Sequence, residues 1–171
     1  TVPIVLPVTN DAVGGGTRSS KSLSPNVLKI CLRMGEKENT AILGVLPKAS
    51  DDYKPDEDIE KLFADETSIY KIGNNLYYPV DIYTIASHKA IEINAVSTDG
   101  DEKIIPIGIK TKQSGQATLL VKGIDNFNAY QKLFLIDAKK NETYDLFNVE
   151  YVSFEKELNE DMDGRFYIVM K

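Results

Sequence analysis

From residue 26 onward the chain alternates apolar and polar side chains. Between Asn26 and Met34, Leu28, Ile30, Leu32 and Met34 fall on one side and Lys29, Cys31 and Arg33 on the other, the period of two that marks a half-buried strand. Thr40 to Leu46 predicts a second strand, joined to the first by the polar, glycine-containing hairpin loop 35–39. Further strands are predicted over 76–80, 90–96, 103–110, 116–122, 132–138, 142–146, 149–155 and 165–170. The gaps between them carry turn chemistry: Asp99-Gly100-Asp101, Ser114-Gly115, Gly123-Ile124-Asp125-Asn126 and Asp163-Gly164. Residues 56–63 differ, with apolar side chains at helical spacing behind a cluster of acids, and predict one short helix. Short strands at regular spacing, without a second helix to make parallel crossovers, give an all-β expectation: an antiparallel β-sandwich of jelly-roll or Ig-like type.

Two strands carry sharper expectations. In 103–110, Ile105, Ile107 and Ile109 share a face, while Pro106 and Gly108 are poor members of a central ladder, so this strand is expected at an edge or a bulge. The last strand buries Phe166, Ile168 and Met170 and is expected to be indispensable. About twenty aliphatic and aromatic side chains would meet between the sheets, each stabilising by about 1.5–3 kcal/mol when fully buried.

The segment before residue 26 has another character. Val2 to Val8 is apolar but interrupted by Pro3 and Pro7, and Gly14 to Gly16 lie among hydroxyl residues. Residues 1–25 therefore read as an extended arm and flexible connector, and 26–171 as the folded domain. The first residue is Thr1, which suggests a processed product or a piece of something longer.

A formal charge of -6 leaves no electrostatic footprint for a phosphate backbone, and no apolar run reaches the roughly 18 residues needed to span a bilayer. Neither nucleic acid nor membrane insertion is expected. The lone cysteine, Cys31, excludes an internal disulfide framework and reads as a partly covered structural thiol. The single histidine, His88, sits in Ile85-Ala86-Ser87-His88-Lys89 without triad spacing and reads as a surface or turn residue. The acids Asp51, Asp52, Asp56, Glu57, Asp58 and Glu60 are expected to cap the short helix, and no carboxylate pair for glycoside hydrolysis stands out. No catalytic residue is assigned.

Two binding signals remain. Asn159, Asp161 and Asp163 occupy positions one, three and five of a calcium-loop-like stretch with Gly164 at six, but position twelve is Met170 and the following segment is a strand. A polar hairpin turn is the simpler reading; capture of Ca2+ at millimolar level, alone or with Asp99 and Asp101, is the alternative. Tyr77 and Tyr78 point to opposite faces of a strand, so at most one can belong to a sugar-stacking platform.

The C-terminal half carries a resemblance. Ile105-Pro106-Ile107-Gly108-Ile109, Ser114 to Leu119, Gly123-Ile124-Asp125-Asn126-Phe127, Leu133 to Asp137 with Asn141 to Leu146, Tyr151 to Phe154 and Asp163-Gly164-Arg165-Phe166 follow one another in an order similar to that of the β-sandwich modules near the C-termini of large secreted and cell-surface proteins of Bacteroidetes, often beside a type IX secretion sorting domain. The resemblance covers roughly residues 90–171 and, more loosely, 26–63. Isoleucines replace the module's usual Leu and Phe in the proline strand, and Gly164 separates Asp163 from Arg165. It implies a non-catalytic accessory or adhesion-type module, secreted or at the cell surface, that works beside neighbouring domains of its parent protein. It also implies structural roles for Pro106, Gly108 and Phe166. Asp125 and Asp137 would close turns through side-chain bonds, and Arg165 would pair with a carboxylate to bridge strands. Alternatives are a carbohydrate-binding module contacting glycan or a surface protein, a carboxylate-dependent hydrolase, and a surface-assembly subunit whose Val2 to Val8 arm adds a strand to a neighbouring copy.

Overall fold

The computed structural model describes residues 25–63 and 70–171; the expected arm up to residue 24, and residues 64–69, lie outside the described residues. The strands are β1 (Val27–Met34), β2 (Lys37–Leu46), β3 (Ile59–Glu60), β4 (Tyr70–Ile72), β5 (Asn75–Tyr77), β6 (Asp81–Ala86), β7 (Lys89–Ser97), β8 (Lys103–Lys110), β9 (Gly115–Lys122), β10 (Leu133–Asp137), β11 (Glu142–Asp145), β12 (Tyr151–Lys156) and β13 (Phe166–Met170). Ten of them form one path in the order β11-β10-β13-β8-β6-β7-β2-β1-β9-β12, coiled into a nearly closed, barrel-like sheet, with β3 added to β7 and β4-β5 paired separately. The fold is all-β, of sandwich or barrel type.

Alternation builds the core as the sequence implies. Leu28, Ile30, Leu32 and Met34 of β1 face inward, as do Ala117, Leu119 and Val121 of β9 and Val152 and Phe154 of β12. The final strand is central, with β10 on one side and β8 on the other.

Several expectations are corrected. Among the described residues all the ladders are antiparallel except one: β2 runs parallel to β7, Ile42 to Leu46 facing Ile93 to Ser97. The hairpin between β1 and β2 is shorter than the predicted loop, with Met34 paired to Lys37 and Gly35 at a left-handed φ of 60°. Strand β8 lies inside the sheet. It pairs β13 through residues 103–107 and β6 through 107–110, so Pro106 falls where only the β13 side is laddered and its missing N–H is tolerated.

The predicted helix over 56–63 does not form; turns and the two-residue β3 occupy that stretch. Its acids bond backbone N–H groups elsewhere. The Ala95 N–H donates to Asp58 Oδ1 at 2.8 Å and the Lys54 N–H to Asp58 Oδ2 at 2.7 Å, while Ser50 N–H reaches Glu57 at 2.7 Å. Carboxylates that would favour a helix N-terminus instead pin the 47–63 excursion onto β7. Strand β6 escapes the sequence reading because Asp81, Ile82, Tyr83 and Thr84 are all buried, so no polar face alternates with the apolar one.

Candidate functional site

The densest polar construction lies where the two ends of the coiled sheet approach each other. Phe154 of β12 and Phe166 of β13 bring ring centroids to 4.7 Å, and the Arg165 guanidinium sits 4.9 Å from the first ring and 5.0 Å from the second. Arg165 is only 6% exposed, and the surrounding acceptors take up its charge. Nε donates to Asp137 Oδ1 at 3.2 Å and Nη2 to Asp137 Oδ2 at 3.1 Å, a fork on β10; Nη1 donates to Glu160 Oε1 at 2.9 Å and to the Glu155 carbonyl on β12 at 3.1 Å. The same guanidinium thus holds β10, the loop before β13 and the terminal strand β12.

A second tier completes the network. Asp137 Oδ1 also accepts from the backbone of Lys139 and Lys140, closing the β10–β11 turn, and Lys139 Nζ bridges Glu157 at 2.6 Å and Glu160 at 2.9 Å. Burial works to raise the Glu160 carboxyl, but the Glu157 N–H, Lys139 and Arg165 outweigh it and hold the group below the ordinary glutamate range. Lys156 occupies the inward position after Phe154, is 2% exposed, and donates to the Glu157 carbonyl at 3.0 Å; burial pushes its pKa down.

The 159–164 loop, read from sequence as a polar turn with Ca2+ capture as the alternative, directs its side chains to separate partners. Met162 plugs the core from its middle, Asp161 Oδ1 accepts from the Asp163 N–H, and the Tyr83 hydroxyl donates to Asp163 Oδ1 at 2.6 Å. Asn159 is exposed at a φ of 60°. Among the described residues, no group of three or more His, Cys, Asp and Glu side chains is gathered as a metal set. Burial, then the Asp163 hydrogen bond, drives the Tyr83 hydroxyl pKa upward. The Tyr83–Asp163 pair also explains Gly108: a Cβ there would lie 2.1 Å from the Tyr83 ring and 2.5 Å from Asp163 Oδ1.

A serine beside a buried lysine occurs at the far end of β7, where the sequence reading assigned no chemistry. Lys103 Nζ donates to Ser97 Oγ at 2.8 Å and pairs with Asp51, while Ser97 Oγ donates to Asp51 Oδ1 at 3.0 Å and accepts from the Asp99 N–H at 3.3 Å. A nucleophilic serine gives its proton to a base. Here the lysine donates and the serine proton rests on a carboxylate, so the trio links β7, β8 and the 47–63 excursion. His88 is exposed in the two-residue turn between β6 and β7, where Ser87 and His88 both have positive φ, as a type I′ hairpin requires. Cys31 is buried, and Thr40 Oγ1 lies 3.5 Å from its sulfur.

The tyrosine pair is placed at the small sheet. Tyr77 ends β5 opposite Tyr70; Tyr78 is half-buried, and its carbonyl accepts from Lys37 Nζ at 2.5 Å. Asp125 is exposed in a 3-10 turn, Ile124–Asn126, and the side-chain bonds that fasten the following residues come from Asn26, whose Oδ1 accepts from the N–H groups of Asn128 and Ala129 at 2.7 and 2.8 Å. The expected role of Asp125 in closing this turn therefore falls to Asn26, 102 residues away from Asn128 in sequence, a pairing that no local spacing reveals. Asp125 instead lines an open cleft of about 400 Å³ with Asn148, Glu150 and Phe147, whose ring residue is 45% exposed.

The fold and these clusters define a satisfied all-β module: among the described residues, no buried side-chain nitrogen or oxygen lacks a hydrogen-bond partner. No family model, curated protein or solved structure matches the chain.

Proposed function

We propose that the chain is a non-catalytic structural or adhesive module of a larger secreted or cell-surface bacterial protein, acting beside neighbouring domains and exposing its loops to an external partner. The observation that carries this reading is the use of the buried ionic groups. Arg165, Asp137, Glu160 and Lys103 are tied to strands and turns, and the hydroxyl of Ser97, the serine next to a buried lysine, is saturated with its proton on Asp51. Active sites keep such groups poised toward a substrate. The ordered motif resemblance to Bacteroidetes modules supports the same reading and adds type IX export to it. The test uses the purified chain on immobilised extracellular glycans and surface proteins, beside panels of ester, peptide and polysaccharide substrates. Retention without turnover is expected; turnover abolished by Ser97→Ala would contradict the proposal.

A second reading, carbohydrate binding, is favoured by Phe147. An exposed ring beside the carboxylates of Asp125 and Glu150 in an open cleft offers a stacking face with hydroxyl acceptors. Loss of glycan retention in Phe147→Ala, with Tyr78→Ala unaffected, would place the ligand there. Retention unaffected by Phe147→Ala would remove this reading.

A further inference from the structure

Three side chains far apart in sequence meet where β2, the residue after β3 and the start of β6 come together. Asn39 lies on β2, Lys61 just after β3, and Asp81 opens β6. The Lys61 side chain is 3% exposed, with Nζ 3.0 Å from Asn39 Oδ1 and 3.4 Å from Asp81 Oδ1; Glu92 stands 3.9 Å away on the solvent side. Asn39 Oδ1 also accepts the Ile82 backbone N–H at 3.0 Å. A carboxamide carbonyl is thus polarised by a fixed backbone donor, an amine lies within hydrogen-bond distance of its oxygen, and a carboxyl is within proton-transfer reach of that amine. The site is largely closed to water. Lys61 is held in place by its own backbone, whose N–H donates to the Ala90 carbonyl at 2.9 Å.

We propose that Lys61 and Asn39 join in an intramolecular isopeptide bond, with Asp81 carrying the protons. The Lys61 ammonium gives a proton to Asp81, and the Nζ lone pair attacks Asn39 Cγ. The Nζ–Cγ bond forms while the charge developing on Oδ1 is held by the Ile82 N–H. Collapse of that adduct breaks the Cγ–Nδ2 bond. One further proton passes from Nζ through Asp81 to the departing nitrogen, and the proton taken at the outset follows it. A lysine ammonium and a primary amide become a secondary amide and an ammonium ion, and Asp81 ends as the carboxylate it began as. No oxidant, reductant or cofactor enters the balance.

The Lys103–Asp51 pair does not offer the same chemistry, because Asp51 is half-exposed to water and the other partner of Lys103 Nζ is the Ser97 hydroxyl instead of a second carboxyl that could carry protons. The Lys61–Asn39 bond would close the chain between residues 39 and 61 and staple the 47–63 excursion to β2. Closing a loop covalently removes conformations from the unfolded chain, which suits a module exposed to pulling or proteases. The inference goes beyond the proposed function and does not depend on which partner the module binds.

The deciding experiment is the intact mass of the purified, folded full chain, followed by peptide mapping. A mass one ammonia below that of the sequence is expected, together with a branched peptide joining the Asn39 and Lys61 segments. Asp81→Asn, shown to be folded by circular dichroism, should retain the full mass. Asn39→Asp should lose one water instead of one ammonia. Full sequence mass for the wild-type chain after prolonged incubation at neutral pH, or ammonia loss without the branched peptide, would overturn the proposal. A fully cross-linked Asp81→Asn would overturn the role given to Asp81.

Discussion

Asp137 and Arg165 form a forked, fully buried ion pair, with Nε and Nη2 of the arginine donating to the two carboxylate oxygens at 3.2 and 3.1 Å. The arginine's remaining nitrogen reaches the Glu155 carbonyl on the last strand of the sheet path, so the pair ties β10 to β12 as well as to the turn before β13.

Breaking one side of a buried pair leaves the other charge without compensation, which costs about 3–5 kcal/mol. Asp137→Ala should therefore lower the unfolding free energy by about that amount, read as the urea midpoint at constant slope. The same substitution frees the Lys139 and Lys140 N–H groups of the β10–β11 turn. A midpoint unchanged from wild type would mean that the pair contributes nothing net.

Gly108 has no room for a side chain. The Tyr83 ring crosses its Cα on the way to Asp163, and the nearest atoms are ring carbons held on a central strand. Gly108→Ala should destabilise by about 1–3 kcal/mol through overpacking and displacement of Tyr83. Thermal unfolding measures it, and the double variant Gly108→Ala with Tyr83→Ala should recover much of the loss. No recovery would refute the clash as its cause.

Acid should weaken the seam through Glu160. Its folded-state carboxyl lies below the ordinary value near 4.3, so the unfolded chain binds more protons in the acid range. The stabilisation is complete above that ordinary value and is lost as pH falls through the depressed one. Glu160→Gln should be less stable than wild type at neutral pH and should show a shallower decline in stability toward acid. Parallel declines in the two proteins would refute this assignment.

Removing residues 166–171 takes away a strand laddered on both sides together with Phe166, Ile168 and Met170, all fully buried. The truncated chain should be insoluble on expression. A soluble product with native-like amide dispersion would contradict the central placement of β13.

Strands whose polar faces reach solvent were legible in the sequence, as β1, β9 and β12 illustrate, because burial on one face alone writes a period of two. The roles the resemblance gave Asp137 and Arg165 concern residues that the fold does place side by side. Strand β6 was illegible because Asp81 and Thr84 are buried with partners and erase the alternation. The acids at 56–58 imitated a helix start because carboxylates satisfy backbone N–H groups equally well on a strand, as Asp58 does for Ala95. Long-range meetings such as Lys61 with Asn39, or Asn26 with Asn128, depend on how the sheet coils, and no local spacing encodes that.

The clearest measurement is residue-resolved hydrogen exchange in wild type and Arg165→Lys, a substitution that keeps the charge but removes the fork. If the guanidinium fastens the two ends of the sheet, β12 and the β10–β11 turn should lose protection in the variant while β1, β2 and β7 keep theirs. Unchanged protection of β12, or an equal loss across every strand, would contradict the account.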